Sequence, residues 1–310
     1  MAAEISTQRT GTSSRRRREA IMAWVFSAPA LILLIVFLII PFLMAFGLAF
    51  TDQRLLPNPN LPTQIVGLRN FSRMIEDEAF IRAVLNNFYF VIVVVPLQTL
   101  LALLLAILVN QKLKGMTFFR AIYFSPVVTT MVVVATIWFF LYNPGEGLIN
   151  AFIQTISFNR LGPYSFLKDT KLVFPAIMLL SIWQGVGFQM VIYLAGLQEI
   201  PDSLYEAAQV DGANRLQQFF NVTLPQLRNT TIFVVLATTI LAFKLFTQVE
   251  VMTQGGPQNA SMTTMVYVVR QGWSRGRIGY ASAVTVVFFL IVLGVSLLQR
   301  FVLHEERTVD

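Results

Sequence analysis

The sequence predicts an all-α integral membrane protein. Six transmembrane helices are expected, with a cytoplasmic helix–turn–helix inserted between the fourth and fifth. Three observations carry this. Of 310 residues, 55% are hydrophobic and only 13% charged, against roughly 25% charged in soluble domains. Six stretches are apolar over about 20 residues, the length a helix needs to cross a hydrocarbon core of roughly 30 Å. None alternates apolar and polar residues as a membrane β-barrel does, and in lipid a helix satisfies its own backbone.

The first stretch, Trp24–Phe50, follows Arg15, Arg16, Arg17 and Arg18, with Arg9 further upstream. It is about twice the length of a secretory apolar region and shows no small-x-small cleavage site after a short run, so it reads as an anchor. The arginines are a topology signal that places the N-terminus in the cytoplasm. Lysines and arginines divide almost evenly between the two sets of loops, so the orientation rests on this run.

Residues 51–85 then face outward. Their front is rich in Pro and Asn and loop-like, while Leu68, Phe71, Ile75, Phe80 and Ile81 fall at the spacing of an amphipathic interfacial helix. The second span, Asn86–Val109, ends in a short "NQKLKG" turn, and the third is Ala121–Tyr142. After an outward segment, 143–171, comes the fourth span, Leu172–Leu197. The long inner segment 198–229 leads to the fifth, Thr230–Val249, and 250–280 leads to the sixth, Ala281–Leu303. The expected organisation is a cytoplasmic tail over 1–20, one membrane domain over 21–304 and a second cytoplasmic tail over 305–310.

Composition excludes several functions. There is no cysteine, and the single histidine, His304, lies beyond the last span. No disulfide framework, Cys/His metal site or histidine-based triad is therefore possible within the membrane. No G-x-x-x-x-G-K-[ST] loop is present to cradle ATP phosphates. The net charge of +7 flanks apolar spans instead of forming a patch, which argues against nucleic acid. Lys244 is the one charge well inside a span, with Glu250 at its outer end. Proton- and sodium-coupled carriers place acidic residues or broken helices near the midplane. Their absence weighs against the alternative, a secondary active solute carrier, although a sodium site built from carbonyls stays open to it. Lys244 itself has two readings, ligand contact or a snorkelling side chain.

Polar groups inside spans are costly and therefore informative. The fourth span carries "SIWQGVGFQM", with Ser181, Gln184, Gly185, Gly187 and Gln189 near mid-depth, and the fifth carries Thr238 and Thr239. Amides and hydroxyls beside Trp183 and Phe188 suit a polyhydroxylated ligand. Helix packing by small and polar residues is the competing account, favoured for Gly187 and the threonines.

The segment between these two spans, "LYEAAQVDGANRLQQFFNVTLPQL", is polar and amphipathic. Leu204, Ala207, Ala208 and Asp211 share one helical face. Leu216, Phe219, Phe220 and Leu224 form a second apolar stripe beyond Gly212. Gly212 can end the first helix in a left-handed conformation, and Pro225 marks the approach to the next span. The segment is longer than a connector between antiparallel helices needs to be.

Glu206-Ala207-Ala208, Asp211-Gly212-Ala213, Phe219-Phe220 and Val222-Thr223-Leu224-Pro225 resemble the EAA motif of ATP-binding-cassette importer permeases. "VGLRNFSRMIEDEAF", "LKGMTFFRAIYFSPVV", "YNPGEGLIN", "GLQEIPDSLYEAA" and "TQGGPQNAS" are similar to the carbohydrate-uptake subfamily serving maltose, lactose, other oligosaccharides and glycerol phosphate. The resemblance covers about residues 20 to 303. It implies a non-catalytic pore subunit of a bacterial inner membrane. Its partners would be a second permease, two copies of a cytoplasmic ATPase that hold ATP and magnesium, and an extracytoplasmic solute-binding protein. Nothing in this chain would bind a cofactor.

The hairpin would then be the coupling helix, with Glu206, Ala207, Ala208, Asp211, Gly212, Ala213, Leu224 and Pro225 as the ATPase contact. The resemblance also implies a substrate cavity formed by Ser181, Gln184, Gly185, Phe188, Thr238, Leu241, Ala242 and Leu245. The maltose permeases have asparagines in place of Ser181, Ala242 and Leu245 and a phenylalanine in place of Leu241, so a ligand other than maltose is expected. Without cavity arginines, neutral di- or oligosaccharides or a glycosyl polyol are expected ahead of a strongly anionic substrate such as glycerol phosphate.

Overall fold

The computed structural model describes residues 11–56, 62–111 and 114–303. Arg9, His304, the tail 305–310 and the Lys112-Leu113 part of the inner turn lie outside these residues. The described chain is helical apart from one isolated β-bridge between Thr51 and Ile65. Five helical stretches are long and apolar enough to cross a membrane, and a sixth does so as a bent pair.

The first span joins α1 (Gly11–Leu34), a π-turn (Ile35–Ile39) and α2 (Ile40–Leu48). The π-turn precedes Pro41, which has no N–H to continue the regular ladder. None of the span's apolar window is buried. The span touches the body along α2, where Phe42 meets Phe289 edge-on at 5.1 Å.

Next come α3 (Arg69–Ile75) and α4 (Glu78–Val109). The second span thus starts at Glu78 and not at Asn86, because Asp77 caps it. The Asp77 carboxylate accepts from the backbone N–H groups of Ala79 and Phe80 at 3.0 and 3.3 Å. The single interfacial helix expected over 68–81 is therefore split by that cap. At the other end of α4, the Arg120 guanidinium donates to the Val109 carbonyl at 2.8 Å, satisfying a terminal acceptor with a favourably placed cation.

The expected third span, 121–142, is not one helix. It comprises α5 (Met116–Val128) and α6 (Met131–Leu141), bent by 97°. Pro126 cannot donate to the Ile122 carbonyl, which accepts from the Ser125 hydroxyl at 3.0 Å instead. Thr129 and Thr130 are extended, with ψ of 135° and 139°. The bend lets α5 lie against α8 (Val173–Glu199) while α6 packs elsewhere. Gly187 permits the close approach: a Cβ there would sit 2.1 Å from the Tyr123 carbonyl oxygen.

Between these elements lies α7 (Leu148–Ile156), within the segment 143–171. After α8 come α9 (Asp202–Val210), α10 (Arg215–Gln218), a π-turn (Phe219–Thr223) and α11 (Leu224–Gln226). The fifth span is α12 (Arg228–Phe243) followed by α13 (Thr247–Met252). Then α14 (Thr264–Val269) and α15 (Ile278–Leu303) complete the described chain.

The most extensive packing is between α4 and α8. Two apolar clusters lie along this pair. One contains Phe90, Ile177, Leu180 and Phe243; the other contains Ala106, Met190, Tyr193 and Leu227. At the start of α4, Asp77 also accepts from the hydroxyls of Tyr267 and Tyr280, and the Arg73 guanidinium lies 5.3 Å above the Tyr280 ring. Burial alone raises the Asp77 carboxyl. The hydrogen bonds from Tyr267, Phe80, Ala79 and Tyr280 outweigh it and hold the carboxyl below its ordinary value. Burial and the bond to Asp77 push the Tyr267 hydroxyl upward, so it remains a donor.

Candidate functional site

One cavity of about 500 Å³ opens between α4, α8, α12 and the bend of the third span. That volume lies within the range of small-ligand sites. All eight residues singled out as cavity candidates line it: Ser181, Gln184, Gly185 and Phe188 from α8, Thr238, Leu241 and Ala242 from α12, and Leu245 just beyond. Phe90, Val94 and Gln98 add a wall from α4, and Val127 and Met131 add one from either side of the bend.

The helical registers explain this convergence. Ser181, Gln184, Gly185 and Phe188 follow the i, i+3, i+4, i+7 spacing of one helix face. On α12, Thr238, Leu241 and Ala242 do the same. Gly185 faces Gln98, whose amide nitrogen would lie 2.2 Å from a Cβ at that position. The glycine thus leaves room for the Gln98 amide beside the cavity.

Cross-helix hydrogen bonds fix the polar lining. The Gln189 amide donates to the Thr238 hydroxyl at 2.6 Å, joining α8 to α12. Thr238 in turn donates to the Val234 carbonyl. The Gln248 amide donates to the Ser181 hydroxyl at 3.3 Å. Gly187 and Thr239 serve packing: Gly187 takes the α5 backbone, and the buried Thr239 hydroxyl accepts from Gln299 at 3.0 Å.

The fifth span is broken beside the cavity, where an unbroken helix over 230–249 was expected. Lys244 ends α12, and α13 begins at Thr247. Non-helical backbone at membrane depth needs partners or a polar cavity. Here the Phe243 carbonyl accepts from the buried Asn87 amide at 3.2 Å and the Leu245 carbonyl from the Thr263 hydroxyl at 2.8 Å. Asn87 also accepts from the Thr264 backbone N–H at 2.8 Å, so one side chain joins α4, the break and the start of α14. Lys244 is exposed and lines the cavity, as does Gln248.

Sequence reasoning missed Gln98, Gln248 and the bend. Gln98 did carry a signal, being a lone amide within the apolar run of the second span. Pro126 followed by "VVTT" was the signal for the bend.

The second candidate region joins α8 to α12. Gly212 has φ 79°, a left-handed backbone. The N–H of Ala213 bonds to the Ala208 carbonyl at 2.9 Å, closing α9. Asn214 then caps α10 in a reciprocal box with Gln217. The Tyr205 and Thr223 hydroxyls, 3.0 Å apart, tie the two limbs.

Glu206, Ala207, Asp211, Gly212, Leu224 and Pro225 are exposed, whereas Ala208 and Ala213 are half-buried. The structure thus places these eight on one hairpin, most of them at its surface. The tip carries an apolar residue that sequence reasoning passed over, Val210, which is 88% exposed. Leu216 and Phe220, from the second apolar stripe, are also exposed within the described chain.

Comparison with known proteins adds a consistent result. Residues 76–307 match the family "Binding-protein-dependent transport system inner membrane component". The chain is 34% identical over 281 residues to the Bacillus subtilis "Probable ABC transporter permease protein YurN", covering 90% of this chain and 94% of that one. It is 32% identical over 283 residues to the Thermococcus litoralis "Trehalose/maltose transport system permease protein MalF", covering 91% and 93%. A chain from the crystal structure of a bacterial ABC transporter involved in import of the acidic polysaccharide alginate shares the fold, with a TM-score of 0.79 at 23% identity, over 96% of this chain and 100% of that one.

Proposed function

This chain belongs to the family of binding-protein-dependent transport system inner membrane components, and from that premise we propose how it works. It is a permease subunit of an ATP-binding-cassette importer and has no catalytic role of its own. Its cavity passes a sugar, a related polyol or a glycoside across the membrane. Several curated relatives carry such names, including the trehalose/maltose permease of Thermococcus litoralis and an arabinooligosaccharide permease of Bacillus subtilis.

One observation supports this reading most directly. The helices that flank the hairpin, α8 and α12, are the two that supply all the expected cavity residues up to Ala242. Each limb is joined by a short link to a cavity wall, α9 to α8 through extended Ile200 and Pro201, and Gln189 and Thr238 bond those walls together. A push on α9 is therefore delivered along α8, a rod of 27 residues and about 40 Å. Hinge and shear motions of packed helices are an established route for such coupling.

In this reading Glu206, Ala207, Ala208, Asp211, Gly212, Ala213, Leu224 and Pro225 form the contact with a cytoplasmic ATPase, which holds the ATP and magnesium. Exposed Val210 supplies an apolar knob beside the Glu206 charge. A second permease completes the pore, two ATPase copies drive it and an extracytoplasmic binding protein delivers the solute. The hairpin side, both termini and the tails 1–20 and 305–310 lie in the cytoplasm, around a membrane domain of residues 21–304.

The test is Glu206→Lys in the complete importer. ATP-driven solute uptake should be abolished, while insertion into the membrane and the amount of folded protein stay normal. Undiminished uptake would remove the hairpin from the coupling path. Failure of any ATPase to co-purify with the chain would count against the importer itself.

A further inference from the structure

We propose that the carried sugar bears a carboxylate and that Lys244 is the side chain that recognises it. This narrows the substrate class and rests on the sugar-importer reading above. Lys244 is the one charged residue lining the cavity; its polar companions there are amides and hydroxyls such as Gln98, Ser181, Gln184 and Gln248. Among the described residues the one salt bridge joins Arg15 to Glu19, so no described carboxylate is ion-paired with Lys244.

An ammonium inside a span is costly unless it has a partner or a path to water. Snorkelling to the outer boundary is the competing account, yet Lys244 is among the residues that line the cavity. Its position after the last turn of α12 favours a cation through the helix dipole. That accounts for tolerance of the charge, not for its presence in the cavity wall.

The chemistry of the lining selects the anion. A lone ammonium among neutral amides balances one negative charge, which matches a carboxylate better than a phosphate monoester carrying about −1.5 to −2 at neutral pH. Gln98 and Gln184 remain for sugar hydroxyls, with the open face of Phe188 for a ring's CH surface. A hydroxylated acid such as a uronoside fits this inventory, with its carboxylate at the Lys244 end.

Saturation-transfer NMR on the importer complex, purified through this chain and held in lipid nanodiscs, tests it. The probes are methyl β-glucuronide and methyl β-glucoside, compared in wild type, Lys244→Gln and Lys244→Arg. One charge-assisted contact predicts about tenfold tighter binding of the glucuronide. That ratio should fall to near one in Lys244→Gln and largely survive in Lys244→Arg, whose retained charge also controls for folding. Equal binding of the two probes by wild type overturns the carboxylate proposal while leaving the sugar reading intact. So does a ratio that Lys244→Gln does not change. Binding of neither probe removes the sugar reading and this proposal with it.

Discussion

The hairpin and the cavity are built in opposite ways. Every hydrogen bond that shapes the hairpin joins residues close in sequence: Ala213 to Ala208, Asn214 to Gln217 and, at the longest, Tyr205 to Thr223. The cavity is held by distant ones, Gln189 with Thr238, Gln248 with Ser181, and Asn87 with Phe243 and Thr264. The hairpin's hydrogen bonds thus make it a unit that can move whole, seated on the spans through Tyr205, Phe219 and Val222, whereas the cavity exists only while several helices keep their mutual register. A machine that converts a push into a change of cavity shape needs that division: a stiff handle and a wall made of separable parts.

The sharpest way to break this comparison is Asn87→Leu. It leaves the Thr264 N–H and the Phe243 carbonyl unpaired at a buried site, which costs about 2–5 kcal/mol. Thermal unfolding in detergent should report the loss, while tryptic cleavage at Arg215 in the hairpin stays at its wild-type rate under native conditions. Faster cleavage at Arg215 would show that the hairpin is not autonomous.

Gly187→Ala comes next. Its Cβ would meet backbone, the Tyr123 carbonyl, and should cost about 1–3 kcal/mol as α5 is forced off α8. Gly185→Ala meets only the far end of the Gln98 side chain, which can swing aside, so its unfolding midpoint should fall less. An inverted order would mean that the α5 contact is slack.

Gly212→Ala sharpens the other half of the comparison. A Cβ there meets nothing within 4 Å, so only the left-handed backbone is penalised, by about 1 kcal/mol. Cleavage at Arg215 should quicken about fivefold with no change in global unfolding temperature.

The smallest effect is expected at Asp77, the cap of α4. Because the folded-state carboxyl of Asp77 is held below its ordinary 3.8, its stabilisation is complete above that value and is lost as pH falls through the lower one. Unfolding temperature should therefore keep the Asp77 contribution from neutral pH to about pH 5 and lose it below about pH 4. Asp77→Asn should lack that acid-dependent step, a result that a purely steric role for Asp77 would not give.

The same division explains what could be read from the residues. The turn at Gly212, the polarity of α9 and α10 and the six apolar stretches are local signals, and the structure follows them. The eight cavity candidates converge because two helix registers are enough to bring them to one face each. The break after Lys244 was not legible, because the carbonyls it frees are satisfied by Asn87 and Thr263, which lie far along the chain or beyond a loop. The bend after Val128 was legible only in hindsight. Pro126 ends a regular ladder, but whether a span kinks there depends on what α8 offers, and Gly187 offers a seat for the backbone.

The first span has a consequence in time. Among the described spans, α2 packs chiefly against α15, and no described residue buries the span's apolar window. About 250 residues separate these two helices. At roughly 5–20 residues per second of synthesis, the earliest helix waits some 13–50 seconds for its mate. Throughout that interval lipid is its only solvent, and the fold closes by joining the oldest part of the chain to the newest.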